Sequence, residues 1–212
     1  MKTLILCEGK HDTIFIKLFL RKLGSDEDTI SFFDLEENLK KGAIRRNESE
    51  KLRSFLYRSS PYKILVKSEG GVKKVIDIFT HLVNHLLDNV DKTILMVDLD
   101  NKGLDSLLSK INKGITSRYN QKIELKIDTS ENTHLLASKV LVQRRIGKNL
   151  NKWGCFFIVA FKSSLEKECP SIAVRNLTKR EIESKISQFI DENKNMLSPF
   201  SSVLNPNKDL KI

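Results

Sequence analysis

The sequence predicts an α/β fold, a mainly parallel sheet with helices on both faces. Three observations lead there. Short apolar runs occur at Lys2–Cys7, at 63–67 (KILVK), at Thr93–Val97 and at Phe156–Phe161. Unbroken runs of this length are what strands covered on both faces look like. Between them lie segments whose apolar residues recur at helical spacing, and strand–helix alternation is the pattern of βαβ units.

In chain order, Lys2–Cys7 is the first buried strand. From Asp12 to Leu23 the residues Ile14, Phe15, Leu18, Phe19 and Leu20 predict a helix, and Gly24 is its natural stop. Residues 24–62 interrupt the first crossover and look like a small inserted helical lobe. A second strand at 63–67 is followed by Gly70 and Gly71. The clearest helix runs from Val72 to Val90, with Val72, Val75, Ile76, Phe79, Leu82, Val83, Leu86 and Leu87 along one stripe. Thr93–Val97 is a third strand ending at Asp98. A helix near Leu104–Ile115 and a strand-like Lys122–Asp128 follow, and Phe156–Phe161 is the last strong strand. Thr178 and Glu181 form a capping-box pattern ahead of Ile182, Ile186, Phe189 and Ile190, which marks a C-terminal helix. These elements predict a first domain at 1–130 and an α/β extension at 131–197 packed on the same sheet. Beyond Ser198, with Pro199 and Pro206, a loosely held tail is expected at 198–212.

Composition narrows the function classes. No apolar run approaches the roughly 20 residues needed to cross a bilayer, and the first strand begins too early for a signal peptide. Three scattered cysteines, Cys7, Cys155 and Cys169, argue for a reducing cytoplasm and against structural zinc or a disulfide framework. Net charge is +10, a balance that points toward polyanions. The charge is clustered. Residues 39–63 hold Lys40, Lys41, Arg45, Arg46, Lys51, Arg53, Arg58 and Lys63 against Glu48 and Glu50, whereas 24–38 hold acids and no base. Residues 139–152 add Lys139, Arg144, Arg145, Lys148 and Lys152 without an acid. Lys40, Lys41, Arg45, Arg46, Arg53, Arg58, Arg144 and Arg145 are the expected nucleic-acid contacts.

The chemistry is expected at strand tips. Ligands of a parallel α/β sheet bind at the carboxyl ends of its strands, where Glu8, Asp98 and Asp100 fall. Side-chain alternation along an extended "DLD" puts Asp98 and Asp100 on one side, with Leu99 turned away. Two carboxylates so close repel unless a cation neutralises them, and hard oxygen ligands suit Mg²⁺ or Mn²⁺.

"EGKHD" (8–12) after the first strand resembles the Glu-Gly-x-x-Asp signature of the Toprim domain, and "MVDLDNKG" (96–103) resembles its Asp-x-Asp motif. "SEGG" (68–71) matches the glycine turn that many members place before the long helix. The family includes topoisomerases, bacterial primases, overcoming-lysogenization-defect nucleases and ribosomal-RNA maturation nucleases. The resemblance covers about residues 1–130 less the insertion, and implies a Toprim-like Rossmannoid sheet. It implies that Glu8 moves protons and that Asp98 and Asp100, with Glu8 beside them, hold Mg²⁺. It further implies that Gly9 lets the backbone turn closely beside the metal and that Asp12 supports the site, with Gly70 and Gly71 in the turn. Topoisomerases carry a further acid where this chain has Lys102, so the primase-like and nuclease branches fit better.

Other residues carry weaker signals. Lys67 and Lys102 flank the expected site and are placed to neutralise phosphate. His81 and His85, four apart on the long helix, read as an exposed helix edge, and His11 as a solvated helix start. Glu166 and Glu168 follow the last strand; acids in comparable places occur in overcoming-lysogenization-defect nucleases, while a solvated loop is the plainer expectation. The expectation is a cytoplasmic, Mg²⁺-dependent Toprim-like protein that cleaves or transfers phosphodiester bonds in DNA or RNA. The alternatives are an RNA- or DNA-binding subunit with protein partners in a processing complex and, further off, a nucleotide- or phosphate-handling enzyme.

Overall fold

A computed structural model describes residues 1–33, 51–57, 60–100, 102–120 and 122–205. Its centre is one seven-stranded sheet in the order β2-β3-β1-β4-β7-β6-β5. The strands are β1 (Thr3–Cys7), β2 (Ile30–Phe33), β3 (Ile64–Ser68), β4 (Lys92–Asp98), β5 (Ile123–Glu131), β6 (Leu135–Ile146) and β7 (Asn149–Phe161). The five strands β2, β3, β1, β4 and β7 run parallel, while β6 and β5 continue the sheet antiparallel. The fold is therefore α/β with a mostly parallel sheet.

Helices cover both faces, and the strand residues sort between them by alternation. Ile5 and Cys7 of β1, with Ile94 and Met96 of β4, pack against α1 (Lys10–Lys22), α5 (Lys179–Glu192) and α6 (Ser198–Leu204). Leu4 and Leu6, with Leu95 and Val97, pack against α2 (Val72–Asn89) and α3 (Leu104–Tyr119) on the other face. Every residue of β1 is consequently buried, which explains its unbroken apolar run. Between β7 and α5 lie the one-turn helix α4 (Leu165–Glu168) and a 3-10 turn at Pro170–Ile172. Gly24 (φ 79) ends α1, and the Thr178–Glu181 capping box opens α5, both where the sequence puts them. Among the described residues no helix is long and apolar enough to cross a membrane.

Three segments differ from expectation. The 24–62 segment is not simply a helical lobe, because Ile30–Phe33 pairs with β3 as an edge of the main sheet. Residues 51–56 are helical, and Phe55 and Leu56 are buried in the core on the α2 face. The described part of the expected tail is not loose either: Ser198–Leu204 is a helix that buries Pro199, Phe200, Val203 and Leu204, while 206–212 lie outside the described residues. Proline is well suited to a first helical turn, where its missing N–H would go unbonded anyway. Finally, β6 and the first half of β7 form a long antiparallel ribbon closed at Gly147 (φ 63), where the sequence shows mainly a run of basic charge.

Candidate active site at the carboxyl ends of β1, β4 and β7

Three parallel strands end together. β1 stops at Cys7 and delivers Glu8; β4 stops at Asp98; β7 stops at Phe161, paired in register with Asp98. Whatever follows Phe161 is thereby brought beside the Asp98 turn, and that segment is Ser163 to Glu168.

Glu8 is held from both ends. Its carbonyl accepts hydrogen bonds from the N–H groups of Gly70 (2.6 Å) and Gly71 (3.0 Å). These glycines have φ 78 and φ 121, conformations that L side chains rarely adopt. The glycine turn thus wraps the Glu8 backbone and aims the start of α2 at the Glu8 carboxylate. That carboxylate accepts the N–H of Asp98 at 2.7 Å and the backbone N–H of Val72 at the helix start. Burial still raises its pKa above the ordinary value, and the charges of Asp100 and Glu166 push the same way.

Asp12, in the first turn of α1, is 7% exposed and accepts the Gly9 N–H at 2.9 Å. Burial first, then repulsion from Glu8 and Glu166, raise its pKa to about 7. Asp98 accepts the N–H of Leu165 at 3.2 Å. Burial, followed by repulsion from Asp12, Glu8 and Glu166, raises its pKa to about 8. A carboxyl group in that state at neutral pH is held in want of a cation or a proton.

Asp100 differs from the extended "DLD" expectation. The strand ends at Asp98, and Asp100 lies in a left-handed turn (φ 48), exposed, with its N–H bonded to the Ser163 carbonyl at 3.0 Å. Asp100 reaches the cluster through a turn and not through strand alternation, and its charge acts on Glu8. A groove of about 510 Å³, lined by Leu99, Gly103, Leu104, Thr129, Glu131, Leu136 and Lys162, opens beside this turn.

Glu166 is brought to the site by α4. It receives His11 Nδ1 at 2.8 Å, a contact that raises the pKa of His11 and lowers that of Glu166. Its charge reaches Glu8, Asp12 and Asp98. Glu168 has other partners, accepting Ser163 Oγ (2.7 Å) and pairing with His134 Nδ1 (2.9 Å). The parallel pairing of β4 with β7 places the residues after each strand side by side, and this is what brings Glu166 to the site.

Other expectations change. Lys67 does not face a phosphate: it is 1% exposed, ion-paired to Glu69 and lies over the Phe33 ring at 5.8 Å. Gly9 is extended (φ −148), and among the described residues a Cβ there would meet nothing within 4 Å, so no protein neighbour demands a glycine. Lys102 is exposed beside the Asp98–Asp100 turn, its N–H bonded to the Leu99 carbonyl at 2.8 Å. His81 is exposed and contacts Arg118, and His85 stacks edgewise on Tyr57, as a plain helix edge would. Arg53 is exposed on the helical 51–56 segment. Lys40, Lys41, Arg45, Arg46 and Arg58 lie outside the described residues. Arg144 and Arg145 sit at the far end of the sheet, Arg144 over the Trp153 ring at 5.5 Å and Arg145 paired with Glu124 at 3.1 Å.

The donor set at the strand tips is oxygen only, which suits a hard divalent cation such as Mg²⁺ or Mn²⁺. Among the described residues no three His, Cys, Asp or Glu side chains converge as a ready-made metal cage. Mg²⁺ is commonly bound through one or two carboxylates, with water and substrate phosphate completing its shell, and Asp98 with Asp100 or Glu8 fits that mode. No protein-family model, curated protein or solved structure matches this chain.

Proposed function

We propose that the chain is a Mg²⁺- or Mn²⁺-dependent, Toprim-like protein that acts on nucleic acid, cleaving or transferring phosphodiester bonds. One observation carries the reading. Asp98 and Asp12, joined by Glu8 and Glu166, crowd the carboxyl ends of parallel strands so closely that burial and mutual repulsion hold Asp98 protonated up to about pH 8. Such a cluster is a sink for a divalent cation. A cation there would supply electrostatic stabilisation of charge developing on a phosphoryl oxygen. Asp98 and Asp100 would hold it. Glu8, its pKa raised, would exchange a proton with the attacking or leaving oxygen, and Lys102 lies exposed at the rim for a phosphate. The net charge of +10 accords with a polyanionic substrate. Three cysteines outside any disulfide accord with a cytoplasmic setting.

A second reading has a specific observation behind it. Glu8 spends its carboxylate on the N–H groups of Asp98 and Val72, the posture of a brace. In that reading the chain is a weakly active or inactive module that binds RNA or DNA within a larger processing complex.

Labelled single- and double-stranded DNA and RNA incubated with the pure protein, with and without Mn²⁺, separate the two. Mn²⁺-dependent cleavage or end-joining that is lost in both Asp98→Ala and Glu8→Gln supports the enzyme. Binding without turnover, unchanged in EDTA and in Asp98→Ala, supports the module. If no nucleic acid binds, both fall.

A further inference from the structure

The outer edge of β5 is a second interaction surface, and its sequence is complementary to itself. β5 ends the sheet, so among the described residues no strand pairs with its far side. At nine residues it is a long edge; β2, the other edge, has four. A long edge strand offers a row of unpaired backbone groups to another chain. The N–H of Arg145 donates to the Lys122 carbonyl at 3.0 Å, so Lys122 faces β6. In an antiparallel ladder alternate residues face alternate neighbours. Glu124, Lys126 and Asp128 therefore bond toward β6, while Ile123, Leu125 and Ile127 direct N–H and C=O outward.

We infer that two copies of this chain pair through β5, antiparallel, about a two-fold axis at Leu125, to make one continuous sheet of both molecules. In that register Leu125 lies opposite the partner's Leu125 and Ile123 opposite the partner's Ile127. Glu124 lies opposite the partner's Lys126, and Lys122 opposite the partner's Asp128. Apolar meets apolar on the face that α3 covers, and opposite charges meet on the other face. A two-fold contact uses each complementary pair twice, as isologous interfaces must.

Charge also excludes the neighbouring registers, because an axis on any of the charged residues sets like charges opposite one another. Moving the axis one residue, to Lys126, keeps the outward backbone groups in phase but sets Lys126 against the partner's Lys126 and Glu124 against the partner's Asp128. Like charges directly opposite destabilise a ladder. The pairing accounts as well for Ile127, a β-branched apolar residue left 43% exposed in the middle of the edge; in the dimer it is covered by the partner's Ile123. Glu124 keeps Arg145 on its inner side while receiving Lys126 of the second copy on its outer side. The inference is independent of any metal or nucleic acid.

Sedimentation velocity across a concentration series, in metal-free buffer, tests it. The wild-type chain should run as a dimer at the upper concentrations. Lys126→Glu, which turns two attractive pairs repulsive, should weaken association by about tenfold or more. Glu124→Lys/Lys126→Glu, which exchanges the charges, should restore association to within about threefold of wild type. Both sites are exposed, and thermal melts confirm that each variant is folded. A wild-type chain that stays monomeric overturns the inference. So does a dimer indifferent to Lys126→Glu, or a folded double variant that remains as dissociated as the single.

Discussion

The two ends of the β4–β7 pair are built from opposite chemistry. At the carboxyl end Glu8, Asp12, Asp98 and Glu166 are packed at strand tips and helix starts, and three of these four hold raised pKa values. At the other end the β6–β7 ribbon carries Arg145, Lys148 and Lys152 in the open. The thirteen residues of β7, at about 3.3 Å each, put roughly 40 Å between the two. The difference teaches how each end meets its charge. A buried acidic cluster is costly until a cation or protons neutralise it, so its chemistry is written into the folded state. An exposed basic ribbon costs the fold little and acts only when a polyanion arrives. Changes at the acidic end should therefore register in stability and metal dependence, and changes at the basic end in affinity and salt dependence.

The largest expected effect is at Asp98. If the acidic end is a metal site, Asp98→Ala should lower Mn²⁺-dependent turnover by about a thousandfold, since metal stabilisation of a phosphoryl transition state amounts to several kcal/mol. It should also relieve repulsion and raise the melting temperature of the metal-free protein. Calorimetric Mn²⁺ binding and melts on the same variant check both. A lower metal-free melting temperature would mean that the Leu165 hydrogen bond matters more than the repulsion.

Next comes the basic end. If the chain binds nucleic acid as proposed, replacing Arg145, Lys148 and Lys152 together by Gln should weaken that binding by about 10- to 100-fold and make the log K against log salt slope shallower by about two to three. Turnover at saturating substrate should be unchanged, because the carboxylates lie at the opposite end of the strand. The loss should disappear on duplexes shorter than about 12 base pairs, which at 3.4 Å per pair do not span the molecule. A uniform loss at all lengths would show that the two ends do not share one substrate.

The third effect is on pH dependence. Asp98 and Asp12 bind their protons more tightly folded than unfolded, with pKa values of about 8 and about 7. The metal-free protein is therefore most stable where they are protonated, and loses stability as pH rises from the ordinary carboxylate range through about 8. The raised pKa of His11 acts in the same direction: its contribution is complete below the usual histidine value and is lost as pH climbs past the raised one. The lowered pKa of Glu166 works oppositely, contributing above the usual glutamate value and failing only in acid. Melting temperatures should fall steadily between pH 5 and 9, by about 6 °C or more, since each pH unit over which the fold holds one extra proton is worth about 1.4 kcal/mol. Excess Mg²⁺ or the Asp98→Asn change should flatten the curve.

Much of the acidic end was visible in the sequence, because strand tips announce themselves as apolar runs that stop at acids. Glu8 and Asp98 needed only that rule. Glu166 was only weakly marked, as an acid after the last strand, because its place follows from β7 pairing with β4, a partnership between strands far apart in the chain. Lys67 misled for a local reason: a cation at a strand tip looks like a phosphate ligand, and only the fold shows Glu69 turned back onto it. The ribbon was hidden because Arg144 and Arg145 interrupt the apolar run Val140–Val142 before Ile146, and charge dominates the pattern there. Sequence separation and charge, not weak propensity, account for these gaps. The helix at Ser198 was obscured by reading Pro199 as a breaker where it serves as a starter.

The smallest expected effect sharpens what glycine does at the acidic end. Two glycine sites flank Glu8, and the motif alone makes them look equivalent. Gly71 holds φ 121 and gives its N–H to the Glu8 carbonyl, so Gly71→Ala forces a side chain into a conformation L residues avoid. About 1–3 kcal/mol of stability should be lost, with Glu8 displaced from the Asp98 N–H. Gly9 is extended, and an added methyl would meet nothing within 4 Å. Gly9→Ala should therefore change stability by less than about 0.5 kcal/mol, a shift within about 2 °C in a melt. If turnover nevertheless falls in Gly9→Ala while the melt stays put, the space over Gly9 is occupied by substrate. If turnover and melt are both unchanged, the glycine at position 9 is incidental, and the Gly70–Gly71 turn alone sets the geometry of Glu8.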